Sequence, residues 1–141
     1  MRGTVRAIDQ GTRERMKRRV TGLAEMVSSG MNAKAEVKYE FGYPPTVNDA
    51  HLIDLAEETL SSLYGKTAIQ HLPHSQMTSE DMAYYMEQIP GVFLLVGAGG
   101  KGSGEYPLHH PQMTIDEKAL GLGAVFLANF VSNYQERKQN C

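Results

Sequence analysis

At 141 residues the chain is long enough for one ordinary domain or two small pieces, and with 41% apolar and 21% charged residues it reads as globular rather than disordered. Fourteen Lys and Arg against sixteen Asp and Glu leave a formal net charge of -2, which excludes a general attraction to nucleic acid. The single cysteine, Cys141, excludes an intramolecular disulfide, and no stretch approaches the roughly 18 apolar residues of a membrane span.

The N-terminus lacks the apolar core of a signal peptide, so the expectation is a soluble, cytoplasmic chain with neither membrane nor nucleic acid as partner. Cys141 is also a poor nucleophile, because a terminal residue is not held in place. From the start, Gly3 to Asp9 ("GTVRAID") alternates in the manner of a strand. Met16, Val20, Leu23, Val27 and Met31 then recur every three or four positions, the apolar stripe of an amphipathic helix with Thr12 as N-cap and Gly30 as stop. The basic run Arg13 to Arg19 ("RERMKRR") falls on that helix among apolar positions and reads as its solvated face. Ala33 to Phe41 alternates apolar and charged residues, predicting a half-buried strand.

The stretch "GYPPTVND", Gly42 to Asp49, breaks the pattern, and Asn48 or Asp49 can cap a helix beginning there. From Asn48 to about Tyr64 the spacing predicts that helix, with Leu52, Leu55, Ala56, Leu60 and Leu63 inward. Thr67 to Gln70 is a candidate short strand, Gln70 to Met77 a loop, and Ser79 the cap of a short helix ending before Pro90. "GVFLLVG", Gly91 to Gly97, is a continuous apolar run, as in a strand buried on both faces. After a glycine-rich loop, Thr114 caps a last helix with Ile115, Ala119, Leu122, Phe126, Phe130 and Tyr134 inward. The order βαβ, linker, αβαβα suggests half of a small α+β layer, then the edge of a larger α/β sheet.

Gly97, Gly99 and Gly102 have the G-x-G-x-x-G spacing of a dinucleotide loop. That loop must lead straight into a helix whose amides meet the pyrophosphate, and Pro107 and Pro111 forbid a helix before about Thr114. The acidic residue about 20 positions on is missing as well. The Walker pattern fails because Lys101 is followed by glycine rather than Ser or Thr. A plain loop after a strand is the better reading. His109 and His110 lie beyond that strand, where α/β sheets place ligand sites, and either a metal ligand or a loop histidine bonded to backbone fits them. A catalytic zinc needs about three protein ligands. His51, His71, His74, Glu80, Asp81 and Glu105 form no recognised ligand spacing with His109, and acids at 80 and 81 are also explained by the dipole of the helix they begin.

"GTVRA", "GYPPTVND", "SEDMAYYMEQIPGVFLLVG" and "YPLHHPQMTIDEKAL" occur here in one order, nearly end to end. In that order the chain resembles the C-terminal part of the zinc-type amidohydrolases: hippurate hydrolase, N-acyl-amino-acid amidohydrolases, auxin-conjugate hydrolases and, more distantly, aminoacylase and carboxypeptidase-type peptidases. The resemblance implies an α/β fold, with residues 1–46 as the second half of a small βαβ lid and dimerisation domain. Residues 47–141 would be the C-terminal portion of the catalytic domain, the edge of its α/β sheet with helices. It implies that His109 completes a metal site, with His110 standing where the family has serine, and that Arg6 in "GTVR" helps hold the substrate carboxylate, a task suited to a guanidinium fork. Glu80 and Asp81 match a family motif without an assigned role.

The same resemblance implies hydrolysis of N-acyl amino acids or related small amides by water activated on zinc, manganese or cobalt. It places the other metal ligands and the general-base glutamate in N-terminal segments not present among these residues. The expectation is a fragment, inactive alone and exposing apolar surface, with no catalytic residue of its own, only the metal ligand His109 and the substrate contact Arg6. Its partners would be the missing N-terminal half or a full-length homologue, or a second copy in a homodimer. The alternative is a non-enzymatic self-association or regulatory module derived from that family.

Overall fold

The computed structural model describes residues 1–100 and 102–139, so Lys101 of the failed Walker pattern and the terminal Cys141 lie outside the described residues. The chain folds as two units, one made of Met1–Val47 with Leu72–Gly91 and the other of Asn48–His71 with Val92–Cys141.

The first unit is organised by α1 (Gln10–Gly30). Its start is set by Asp9, whose Oδ1 accepts the Thr12 N–H at 2.7 Å, so Asp9 rather than Thr12 is the N-cap. That hydrogen bond, with help from the Arg15 charge, holds the Asp9 carboxyl below the usual carboxylate range. Met31 closes the helix, its N–H reaching back to the last-turn carbonyls. The predicted apolar stripe is only partly used. Met16 and Val20 are half-buried, whereas Leu23, Val27 and Met31 are exposed.

Arg13 and Lys17 lie over the ring of Phe41, at 5.1 and 5.0 Å from its centroid, and the Arg13 guanidinium donates to the Gly42 carbonyl at 2.7 Å. Two members of the basic run are thus tied to the segment beyond the helix. In the same unit α3 (Met82–Met86) carries the buried Ala83, and Tyr84 meets Tyr43 edge-on at 5.5 Å. Ser79 does not cap α3, which begins after Asp81 without a side-chain cap.

In the second unit, α2 (Ala50–Tyr64) packs on α4 (Lys118–Gln139). Asp49 caps α2 by accepting the Leu52 N–H, and Gly65, at φ 82, ends it before a 3₁₀ turn at Lys66–Ala68. Leu55, Ala56, Ala119 and Phe126 are buried between the elements, and Phe126 meets Phe130 at 5.6 Å. A polar thread runs through this contact. The buried Thr59 hydroxyl donates to Leu55 C=O at 2.8 Å and accepts from Asn133 Nδ2 at 2.9 Å, so its burial leaves no unmet polar atom. Tyr64 Oη donates to Leu122 C=O, and Arg137 pairs with Glu58 at the rim. Asn48 fixes the segment entering α2 to the apolar run, donating to Phe93 C=O at 3.1 Å and accepting from Phe93 N–H at 2.8 Å.

The α/β expectation is met on its helical side alone. Among the described residues no segment forms a strand: 3–9, 33–41, 67–70 and 91–97, expected as strands of the sheet edge and of the βαβ lid half, have no ladder. The physical reason is pairing: a strand exists by the ladder it makes with a neighbour, and one or two short strands without a packed face are marginal in water. The residue pattern persists without the ladder. Ala35, Val37 and Tyr39 are half-buried while Lys34, Glu36, Lys38 and Glu40 are exposed. The run expected to be buried on both faces is not, for Leu94, Leu95 and Val96 are exposed.

These open faces show in the total area. The chain exposes 11643 Å² at 15.6 kDa. A compact protein of that mass exposes about 7,200 Å², and two separate compact bodies of half the mass about 8,700 Å² together. The excess therefore lies within the units, on faces such as Leu23, Met26 and Val27 of α1 and Leu120, Leu127 and Val131 of α4.

Candidate functional site

The stretch from Ala98 to Asp116 is a loop closed at its root. Asp116 N–H donates to Ala98 C=O at 2.8 Å, and Gly104 N–H donates to Thr114 C=O at 3.0 Å. Between those two ties Gly100 and Ser103 exchange backbone hydrogen bonds of 3.1 Å, a tight reversal. The glycines serve this reversal. Gly104 has φ +74, and a Cβ there would stand 2.6 Å from the Cα of Gly99, closer than a carbon side chain can sit. Asp116 then starts α4, its Oδ1 accepting the Lys118 N–H at 3.0 Å. Thr114 is therefore not the cap; its carbonyl closes the loop instead. Among the described residues the next helix after these glycines is α4, from Lys118.

The far end of the loop carries the two histidines, and they differ. His109 is exposed and has φ 69, in the left-handed region where non-glycine residues are uncommon and backbone strain is about 1–2 kcal/mol. His110 is half-buried. Its ring stacks on Tyr106 at 4.2 Å with the planes 8° apart, and its Nδ1 accepts the Gln112 N–H at 3.1 Å. Adjacent side chains are thus sent to different tasks, one tied into the loop and one held out from it. Tyr106 and Gln112 carry no mark in the sequence, because a loop has no period that would identify them as neighbours of His110.

The remaining candidates are dispersed. Arg6 is exposed, in the first unit, as is Asp81, while Glu80 is half-buried there before α3. In the second unit His51 is exposed on α2, Glu105 is exposed in the loop, and His71 lies 3.6 Å from Glu57. That last pair borders an open groove with Ser61, Ser62, Lys66 and Ile69. His74 is exposed in the first unit. Among the described residues no three His, Cys, Asp or Glu side chains gather closely enough to hold an ion. By themselves, then, the described residues do not fit a complete metal centre. No helix among them is long and apolar enough to cross a membrane.

Comparison with known proteins bears on what such a loop belongs to. A family model described as peptidase family M20/M25/M40 matches residues 3–133. A probable hydrolase of Synechocystis sp. is 36% identical over 129 residues, covering 91% of this chain and 33% of that protein. Two Bacillus subtilis proteins are similar as well: an N-acetyl-L-cysteine deacetylase, 36% identical over 126 residues (89% of this chain, 28% of that protein), and an N-acetylcysteine deacetylase, 34% identical over 131 residues (91% and 32%). The chain spans about a third of the length of these curated relatives. No solved structure matches the chain.

Proposed function

The chain belongs to the peptidase family M20/M25/M40, a family of hydrolases, and from that premise we propose that it is one portion of a metal-dependent amidohydrolase acting on N-acyl amino acids or related small amides. The names of the two deacetylases put an N-acylated cysteine among the substrates to try first. The observation that carries the reading is the closed loop 98–116 with His109 held out from it, in a chain matching the family along nearly its whole length.

In this reading residues 1–46 are lid and residues 47–141 catalytic domain. His109 supplies one ligand to a zinc, manganese or cobalt ion whose other ligands, with the general base, come from segments equivalent to the remaining two thirds of the relatives. Arg6 receives the substrate carboxylate through paired N–H···O bonds from its fixed fork. Amide hydrolysis also requires a base for the attacking water and stabilisation of the tetrahedral oxyanion, and His109 and Arg6 provide neither. The 141 residues alone are therefore inactive in this proposal.

The test is to assay the purified chain with zinc, manganese or cobalt on N-acyl amino acids, then to add a polypeptide carrying the family's N-terminal segments. Turnover only on addition supports the reading, and clear turnover by the chain alone refutes it. A second reading, a self-association or regulatory module, is favoured by the open Leu23, Met26 and Val27 face of α1. Light scattering with and without a full-length homologue distinguishes the two, since the module forms a defined complex without gaining activity.

A further inference from the structure

The adjacent histidines divide the work of the loop between them. His110 is held from four sides, all within the loop. Its ring face lies on Tyr106, its Nδ1 takes the Gln112 N–H, its own N–H donates to Pro107 C=O at 3.1 Å, and its carbonyl accepts the Met113 N–H at 3.0 Å. An imidazole nitrogen that accepts a hydrogen bond carries no proton, so the ring is the Nε2–H tautomer in this arrangement. The next residue back, His109, is exposed at φ 69. A strained backbone persists only where its surroundings over-determine it. Of the two residues flanking His109, His110 is the one whose side chain is fixed by both a stack and a hydrogen bond.

We propose that His110 is a positioning residue: its imidazole, clamped between the Tyr106 ring and the Gln112 amide as the Nε2–H tautomer, holds the Pro107–Met113 turn so that His109 alone is presented. The proposal rests on the reading of His109 as the presented group. It assigns the stack to orienting the ring and the acceptor nitrogen to tying the turn, and these two parts separate by substitution. His110→Asn places an amide oxygen near the position of Nδ1 and keeps the acceptor without the ring. His110→Phe keeps the ring without the acceptor, and His110→Ala keeps neither.

The experiment is nitrogen-15 NMR of the full chain. The wild-type result expected is a pyridine-like Nδ1 and a pyrrole-like Nε2 on His110, with a displaced Gln112 amide resonance. A pyrrole-like Nδ1, or rapid averaging of the two tautomers, overturns the lock without any variant being made. Among the variants, Asn retains the Gln112 displacement while Phe and Ala lose it; retention by Phe overturns the assignment. Line broadening by Mn²⁺ alone then reads the presentation of His109. Its ring resonances broaden more than those of His74 in the wild type, and this selectivity is lost in His110→Ala. Absence of selective broadening in the wild type refutes the presented-group reading, and its survival in His110→Ala refutes the positioning role.

Discussion

Substituting alanine for Gly104 tests the loop that presents His109, because two separate costs fall on one residue. The φ of +74 lies where an L side chain is disfavoured by about 1–2 kcal/mol. In addition the new Cβ would stand 2.6 Å from the Gly99 Cα, which is backbone and has no rotamer to yield. The two chain segments must part, and the tie from Gly104 N–H to Thr114 C=O is lost with them, worth about 0.5–1.5 kcal/mol. The sum is about 1.5–3.5 kcal/mol, or roughly 10- to 400-fold in the loop's closed-to-open ratio. Gly102 is the matched control. Its φ of +79 carries the same conformational cost, but a Cβ there meets nothing within 4 Å. Gly102→Ala should therefore lose about 1–2 kcal/mol, roughly 5- to 30-fold. The assay is hydrogen exchange at the Asp116 amide, which closes the root on Ala98, and at the residue 104 amide. Equal loss of protection in the two variants would refute the close approach of 99 and 104.

Further predictions concern the two units. Asn48→Ala removes both hydrogen bonds that hold Phe93 and should cost about 1–3 kcal/mol, read as lost exchange protection at the Phe93 amide; unchanged protection would refute the clamp. Phe126→Ala should destabilise the second unit by about 3 kcal/mol or more in denaturant unfolding, whereas Leu127→Ala, at an exposed position, should stay within about 0.5 kcal/mol. For Asp9 the folded carboxyl is held low by its bonds to Thr12, so its contribution to α1 is complete above the unfolded value of about 3.9 and disappears as pH falls through the folded one. The Thr12 amide resonance should track that acidic titration in the wild type and not in Asp9→Asn; a pH-independent wild-type resonance would refute the cap.

How much of this chain is legible in its sequence depends on the range of the forces involved. Pro107 and Pro111 act on their own backbone, so they deny a helix to the loop wherever the rest of the chain goes, and α4 waits until Lys118. Helix α2 is equally plain, because Asp49, the apolar spacing and Gly65 are all local signals. The strand expectations fail for the opposite reason. Alternation at 33–41 and the apolar run at 91–97 report what a segment would bury if a neighbour were available, and these units supply no ladder. At the site, the glycine and proline content of 97–111 discloses a loop and two histidines in it. That the loop closes through Ala98 and Asp116 is not readable, since a backbone hydrogen bond has no residue-type signature. The opposite fates of His109 and His110 depend on Tyr106 and Gln112, which only the folded turn brings near.

The hydrogen bond between Asp116 and Ala98 also determines how this loop can change over generations. A loop anchored at its root loses little by growing, about 0.6 kcal/mol for each doubling of length, and everything beyond the anchor hangs from one point. Insertions or deletions near Glu105 would leave α2 and α4 undisturbed while moving His109 by ångströms. Reach and aim at this position are therefore free to drift independently of the helical scaffold, and selection can act on the loop before it touches the core.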